Sequence, residues 1–222
     1  MTAKTYGKLE IHPRCMRILD RARTGGVLGR LLSAASGTLP KTLLVTSPGR
    51  ADGKTTASLA LARAVVEAGR TVLWIDAHAS APAGSEFFDE TAAPGLVEWL
   101  NGSCKLSELP ELEAPTGLTV CLQSVATSPS VLHQAPWQER LAAAAQRFDV
   151  VVVDGGDLSS DSIPVMLAPL VDGVILVARC RRTQTNALSD AQNRLNNVKA
   201  KVLGVMLNRR TRTLPPWMSD EA

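Results

Sequence analysis

The fold is decided by one stretch of the sequence, TLLVTSPGRADGKTTASLALA, which covers residues 42–62. An apolar run comes first, a loop of mostly small residues follows, and a helix-forming run begins around Gly53, Lys54 and Thr55. This order predicts a phosphate-binding loop, because the start of a helix offers unpaired N–H groups and the positive end of its dipole. Pro48 stands where the G-x-x-x-x-G-K-[ST] pattern has its first glycine. The sequence therefore indicates a variant of that loop.

Short apolar runs recur along the rest of the chain and alternate with helix-forming segments. The runs are rich in Val, Leu and Ile with little alternation, as strands buried on both faces require. We expect strands at residues 42–46, 71–76, 118–122, 150–154, 173–178 and 201–207, and helices at 55–69, 94–102, 135–148 and 185–198. Strands that alternate with helices predict an α/β fold, with a mostly parallel central sheet and helices on both faces.

Charge and cysteine content narrow the class of protein. The 222-residue chain has 24 Lys and Arg residues against 21 Asp and Glu residues, an excess too small to indicate nucleic-acid binding. Its four cysteines show no C-x-x-C spacing, which favours a reducing compartment and no structural metal. We find no signal-peptide core, and no apolar run reaches the roughly 20 residues that span a bilayer. We therefore expect a cytoplasmic protein that does not bind nucleic acid.

Carboxylates at strand ends complete the predicted site. Asp76 ends the run TVLWID and Asp154 ends FDVVVVD, and open α/β sheets bind ligands at these carboxyl ends. We assign catalysis to Lys54, Asp76 and Asp154, with Lys54 reaching the β- and γ-phosphates. Thr55 would hold Mg²⁺ together with Asp76 and Asp154, partly through water. Each Asp has the alternative of being a helix cap, and the sequence leaves that open.

With these residues placed, the chain resembles the ATPase domain of bacterial tyrosine kinases (BY-kinases), the P-loop ATPases of capsular and exopolysaccharide biosynthesis within the Min- and Par-like class. The resemblance covers about residues 9–210 and rests on LLVTSPGRADGKTTASLALARAVVEAGRTVLWIDA, APGLVEWLNGS, FDVVVVDGGDLSSDSIPVMLAPLVDGVILVAR and VLGVMLNRR. It implies ATP or ADP and Mg²⁺ as cofactors. The residues that would bind the nucleotide are Gly49, Asp52, Gly53, Lys54, Thr55, Thr56, Asn208 and Arg209. Gly49 stands where the Min and Par branch carries its signature lysine, which disfavours that branch.

Departures from the family pattern concern the catalytic parts. The family motif Asp-x-Asp-x-Arg keeps Asp76 but has His78 and Ser80 in the other two places, and Asp-x-Pro has Gly156 in place of its proline. The single tyrosine is Tyr6, whereas the kinases of the family end in a tyrosine cluster. A lost carboxylate weakens activation of an attacking hydroxyl. His78 is either a substitute base or an exposed loop residue.

The resemblance also implies a domain division. We expect an N-terminal helical segment at residues 1–40 that contacts an oligomer neighbour or a partner, a P-loop ATPase domain at 41–210, and a flexible C-terminal tail at 211–222. The helical segment keeps only Arg17 of the family's Glu-x-x-Arg-x-x-Arg assembly motif.

The function that these features imply is an ATP-binding regulatory protein of exopolysaccharide or capsule synthesis and export, with weakened phosphotransfer. Its partner would be the cytoplasmic part of a membrane polysaccharide co-polymerase, which would hold it at the inner membrane, and it could form a homo-oligomer. The alternatives are an active tyrosine kinase acting on a partner, a Min- or Par-type positioning ATPase, and a scaffold that no longer binds nucleotide.

Overall fold

The computed structural model describes residues 11, 12, 15, 19, 29, 33, 35, 37–79, 87, 88, 94–112, 117–123 and 128–209. Within them the chain forms a six-stranded sheet in the order β3-β2-β4-β1-β5-β6, with every neighbouring pair of strands parallel. The strands are β1 (Thr42–Ser47), β2 (Val72–Ala77), β3 (Leu118–Cys121), β4 (Val150–Asp157), β5 (Gly173–Arg179) and β6 (Val202–Asn208). The helices are α1 (Lys54–Glu67), α2 (Leu96–Asn101), α3 (Pro129–Gln134), α4 (Trp137–Arg147), α5 (Ile163–Leu167) and α6 (Thr185–Asn197). The predicted α/β fold with a parallel central sheet is confirmed.

The predicted strands and helices agree with the structure to within a few residues, with two kinds of difference. Strand β4 continues to Asp157, three residues past the predicted end at 154, because Gly155 still pairs with Ala77 of β2 and, after a shift in register, Asp157 pairs with Ser47 of β1. The short helices α3 and α5 were not predicted, since five or six residues show too little periodicity.

Most residues of the N-terminal segment and of the tail lie outside the residues that the structure describes. Residues 211–222 and most of residues 1–40 lie outside the described residues, as do Tyr6, Arg17 and Ser80. The division at 40 and 210 therefore remains a prediction. None of the helices in the described ranges has the length and apolar character needed to cross a membrane.

Two apolar layers cover the sheet, one on each face. Successive residues of β1 alternate between them: Leu43 packs in the layer that includes α1, and Leu44 packs in the layer that includes α4, α5 and α6. Both side chains are fully buried, and truncating a buried leucine to alanine typically costs about 2–5 kcal/mol. The two apolar layers therefore hold the sheet from both faces. The loops that follow the strands extend from the carboxyl ends of the strands.

The amino edge of the sheet is closed by two equivalent threonine–aspartate clasps. Thr42 donates its N–H and its hydroxyl to Asp172 Oδ2 at 2.8 and 3.0 Å, and the N–H of Asp172 donates back to Thr42 Oγ1 at 2.9 Å. Thr71 and Asp149 repeat the pattern at 2.9, 3.0 and 3.1 Å. The first clasp joins the starts of β1 and β5, and the second joins the starts of β2 and β4, so both fix strand register.

Candidate functional site

The 48–53 loop connects β1 to α1 and ends in a glycine that no other residue could replace without strain. Gly53 has φ 90° and ψ 32° and directly precedes α1. A Cβ at this position would lie 1.9 Å from Nδ2 of Asn208, so both the left-handed backbone and the close contact require glycine. Since Gly53 has no side chain to cap α1, the first amides of the helix are available to an anion.

The rest of the loop departs from the usual glycine-rich pattern, and it is strained. Ala51 has φ 60°, a left-handed conformation that costs a residue with a Cβ about 1–2 kcal/mol. Pro48 contributes no N–H. Inside the loop, the Ser47 hydroxyl donates to the Gly49 carbonyl at 2.7 Å, and the Gly49 N–H reaches Asp52 Oδ2 at 3.3 Å. Such strain persists only where surrounding contacts hold it, and it concentrates at functional sites.

Contacts from outside the loop hold it in place. The Asn208 amide donates to the Asp52 carbonyl oxygen at 2.9 Å, and the Thr183 hydroxyl donates to Asp52 Oδ1 at 2.9 Å. The structure thus brings three of the predicted nucleotide-binding residues, Asp52, Gly53 and Asn208, into one network. Arg209 follows with an exposed side chain, and Thr56 is half-buried on α1.

Four predicted residues come together where β2 and β4 end beside α1. Asp76 and Asp154 are register partners on the two strands, and both are almost fully buried. Burial, and secondly the charge of Asp76, raise the pKa of Asp154 to about 8, while Thr55, Lys54 and Ser58 act in the opposite direction. The hydroxyls of Thr55 and Ser58 do not have hydrogen-bonding geometry toward Asp154, and both oxygens of this carboxylate lack a hydrogen-bond partner.

The residues present fit a magnesium nucleotide. A buried carboxylate with two unsatisfied oxygens, beside a lysine and a threonine hydroxyl, leaves acceptors that a hydrated cation would satisfy. Lys54 is the first residue of α1 and is buried, so its charge lies at the helix start, where an anion is favoured. The arrangement can hold phosphate and a hydrated divalent cation side by side.

Two further carboxylates were missed by the sequence reading. Asp157 ends β4 and is fully buried; the hydroxyls of Ser159 and Ser160 donate to its Oδ1 at 2.5 and 3.0 Å, and the Arg50 guanidinium lies 4.0 Å from its Oδ2. Asp161 Oδ1 accepts the N–H of Ile163 at 2.9 Å, which leaves Oδ2 buried without a partner. The signal for Asp157 was in the sequence, as the continuation GGD after the valine run, whereas nothing local marks Asp161.

His78 is half-buried beside these carboxylates and is not an exposed loop residue. The backbone N–H of His78 donates to Asp76 Oδ1 at 3.2 Å. Burial lowers the pKa of the imidazole, and Lys54 and Arg50 lower it further, whereas Asp161 and Asp157 raise it.

Sequence comparisons relate the chain to curated tyrosine kinases. No family model matches the chain. It is 28% identical over 177 residues to the tyrosine-protein kinase CpsD of Streptococcus agalactiae, covering 78% of this chain and 77% of that one. It is 25% identical over 170 residues to the tyrosine-protein kinase YwqD of Bacillus subtilis, covering 76% of this chain and 72% of the relative. The succinoglycan biosynthesis transport protein ExoP of Rhizobium meliloti is 27% identical over 163 residues, which are 71% of this chain but 21% of ExoP.

Solved structures give the same result for the fold. The VpsO kinase domain superposes with a TM-score of 0.74 at 26% identity, over 89% of this chain and 97% of that domain. A cobyrinic acid a,c-diamide synthase from Mycobacterium smegmatis, solved with ADP and magnesium, superposes with a TM-score of 0.63 at 21% identity, over 77% of this chain and 76% of the other. The second likeness concerns the fold alone.

Proposed function

Because the chain is similar to bacterial tyrosine kinases in sequence and fold, we propose that it is a member of that family, within the Min- and Par-like class of P-loop ATPases, and an ATP-binding regulatory protein of exopolysaccharide or capsule synthesis and export. The observation that carries the proposal is the carboxylate of Asp154, buried with two unsatisfied oxygens beside Lys54 and Thr55. Burying an unsatisfied carboxylate is costly, and a bound hydrated cation would offset that cost.

We assign each residue of the site a part in nucleotide binding. The 48–53 loop and the start of α1 would surround the phosphates, and Lys54 would neutralise their charge. Thr55 would hold Mg²⁺, with Asp76 and Asp154 binding its waters. The cation, when bound, supplies charge neutralisation for a phosphoryl group. Asn208 supports the loop from the end of β6 and retains one amide proton and one lone pair for a ligand, and Arg209 is exposed beside it.

We infer weakened phosphotransfer from the residue that replaces the family's second carboxylate. At position 78 an imidazole stands where the family has an acid. An imidazole is neutral or positively charged, so it offers a cation no negative charge, and burial lowers its pKa. We therefore assign the protein a regulatory role in which bound nucleotide biases its conformation or assembly through differential affinity.

The test of the proposal is a calorimetric titration with Mg-ATP and Mg-ADP of the parent protein and of Lys54→Met. Lys201→Met is the matched control, because it makes the same chemical change at an exposed position before β6. We expect binding by the parent and the control, with at least roughly tenfold weaker binding by Lys54→Met. Failure of the parent to bind either nucleotide would overturn the proposal and favour a scaffold role.

A second candidate function, an active tyrosine kinase acting on a partner, is favoured by Asp157. This buried carboxylate stays ionised: although burial acts against it, the hydroxyls of Ser159 and Ser160 and the charge of Lys54 lower its pKa. Asp157, at the end of β4, could supply the carboxylate that the family places after β2, at the position of His78. Phosphotyrosine formed on a partner by the parent and by Tyr6→Phe, but not by Asp157→Asn, would support this candidate. Phosphate transfer confined to Tyr6 would count against it.

The proposed partner is the cytoplasmic part of a membrane polysaccharide co-polymerase, which would place the protein at the inner membrane. Its support is the relationship to ExoP, a transport protein of succinoglycan biosynthesis. Co-purification with such a partner from detergent extracts, compared with and without Mg-ATP, tests the contact. Mass measurement under the same conditions tests whether the chain forms a homo-oligomer. A protein that stays monomeric with and without Mg-ATP and does not co-purify with the partner would contradict this part of the proposal.

A further inference from the structure

The 48–53 loop has too few contacts of its own to explain its shape. Pro48 has no N–H to give, and Ala51 is in a left-handed conformation at φ 60°. The contact that links the two ends of the loop, from the Gly49 N–H to Asp52 Oδ2, is long at 3.3 Å. The conformation must therefore be imposed from neighbouring segments.

Asp52 is the loop residue that makes the hydrogen bonds to these neighbouring segments. It is buried with 4% of its surface exposed, and its two carboxylate oxygens face different segments. Oδ2 accepts from the Gly49 N–H inside the loop, and Oδ1 accepts from the Thr183 hydroxyl in the turn between β5 and α6. A buried carboxylate needs such donors, and hydrogen bonds to a charged group are stronger than neutral ones.

The Thr183 hydroxyl is held in one orientation. It accepts the N–H of Arg179 at 2.8 Å and donates to Asp52 Oδ1 at 2.9 Å. The direction of both bonds is fixed, because an amide N–H cannot accept and an ionised carboxylate cannot donate. The Thr183 N–H also donates to the Arg179 carbonyl at 3.0 Å. The end of β5 thus sets the position of the hydroxyl, and the hydroxyl sets the position of Asp52.

We propose that Thr183 is a positioning residue for nucleotide binding, which holds the 48–53 loop in its phosphate-receiving shape through Asp52. This inference rests on the proposed function, because it concerns the same site. Thr183 acts together with Asn208, which fixes the backbone of Asp52 while Thr183 fixes its side chain. The loop is therefore braced from the ends of β5 and β6. These outside contacts fix its conformation, so the loop tolerates Pro48 in place of the first glycine of the pattern.

The test compares Thr183→Val with Thr183→Ser and with Thr185→Val. Valine removes the hydroxyl but keeps the shape of threonine, and serine restores the hydroxyl. Thr185, two residues along the chain, is exposed at the start of α6 and provides the same chemical change outside the brace. Calorimetry with Mg-ADP and Mg-ATP measures affinity, and amide hydrogen exchange of residues 49–53 in the nucleotide-free protein measures the loop directly.

We expect Thr183→Val to bind both nucleotides roughly tenfold more weakly, the loss of one hydrogen bond to a charged group, and to exchange its loop amides faster. Thr183→Ser should restore both properties, and Thr185→Val should match the parent. Unchanged affinity and exchange in Thr183→Val would overturn the inference, and so would weaker binding that Thr183→Ser fails to restore. A parent that binds no nucleotide would overturn the proposed function and this inference together. A parent that binds while Thr183→Val binds equally well would overturn the inference alone.

Discussion

Gly53 and Asn208 fit together because one lacks a side chain where the other places its amide. A Cβ on Gly53 would lie 1.9 Å from Asn208 Nδ2, and that nitrogen donates to the carbonyl oxygen of Asp52. The absence of a side chain at position 53 is therefore what allows the end of β6 to support the loop.

Gly53→Ala should lower both stability and nucleotide affinity. The left-handed backbone costs about 1–2 kcal/mol, and the clash with Asn208 adds about 1–3 kcal/mol. Gly69→Ala is the matched control, since Gly69 also has a positive φ of 77° but no atom within 4 Å of its Cβ position. Urea unfolding and Mg-ADP titration measure the two effects. Equal losses in the two variants would show that the contact with Asn208 has no consequence.

Gly156→Ala should displace Asp161 and weaken the start of α5. A Cβ at position 156 would lie 2.1 Å from Asp161 Oδ2, and the other oxygen of that carboxylate accepts the N–H of Ile163. We expect a loss of about 2–4 kcal/mol in the free energy of unfolding. Gly204→Ala, with nothing near its Cβ position on the edge strand β6, should change stability by less than about 1 kcal/mol. A neutral Gly156→Ala would contradict the observed packing of Asp161.

Asp154 should make the nucleotide-free protein less stable as the pH rises. Its pKa in the folded state is about 8 against 3.8 for the ordinary group, so the folded state holds a proton that the unfolded state releases. Stability is therefore highest below about pH 4 for this group and declines through about pH 8, by about 1.4 kcal/mol for each unit of pKa shift that the protein realises.

Asp154→Asn removes this titration and should unfold at higher denaturant than the parent at pH 9, with a smaller difference at pH 5. Nucleotide affinity should fall in the same variant, because an amide is a poorer ligand for the waters of a cation. Denaturation curves at the two pH values, without nucleotide or magnesium, measure the first effect. A parent whose stability follows that of Asp154→Asn across the range would contradict the pKa assignment.

Ser58→Ala should destabilise the protein by about 1–3 kcal/mol, because it leaves a buried donor unsatisfied. The indole N–H of Trp74 donates to the Ser58 hydroxyl at 2.9 Å, and both residues are fully buried. Ser189→Ala, on the exposed surface of α6, should stay within about 0.5 kcal/mol of the parent. Thermal unfolding and the emission wavelength of the tryptophans report the change. If Ser58→Ala costs as much in a Trp74→Phe background as in the parent, the indole bond is not the cause.

The fold was predictable because its buried strands are clear in the sequence as short apolar runs. Runs such as the four valines of β4 have one plausible place in a domain of this size, in a sheet covered on both faces. The predicted assignments for Lys54 and Thr55 followed from the phosphate-loop pattern, and those for Asp76 and Asp154 followed from parallel strands ending at a common edge. The structure places these residues together, and their roles in binding remain predictions.

Residues that depend on distant pairing could not be found in the same way. Thr183 meets Asp52 across 131 positions of sequence. Asp161 lies in the turn after β4, where its N–H donates to the Asp157 carbonyl at 3.0 Å and its carboxylate packs against Gly156. A threonine after a basic turn and an aspartate among serines have no local signature. Tertiary geometry, not sequence pattern, gives them their contacts.

The two clasps at the amino edge have a consequence for how this chain can evolve. Thr42 with Asp172, and Thr71 with Asp149, fix strand register from the side of the sheet that takes no part in the chemistry. Substitutions at the opposite edge therefore leave these two register contacts in place. The unusual residues at positions 48, 51, 78 and 157 all lie there. The amino edge holds the strands in register, and the carboxyl edge carries the loops in which the candidate site can vary.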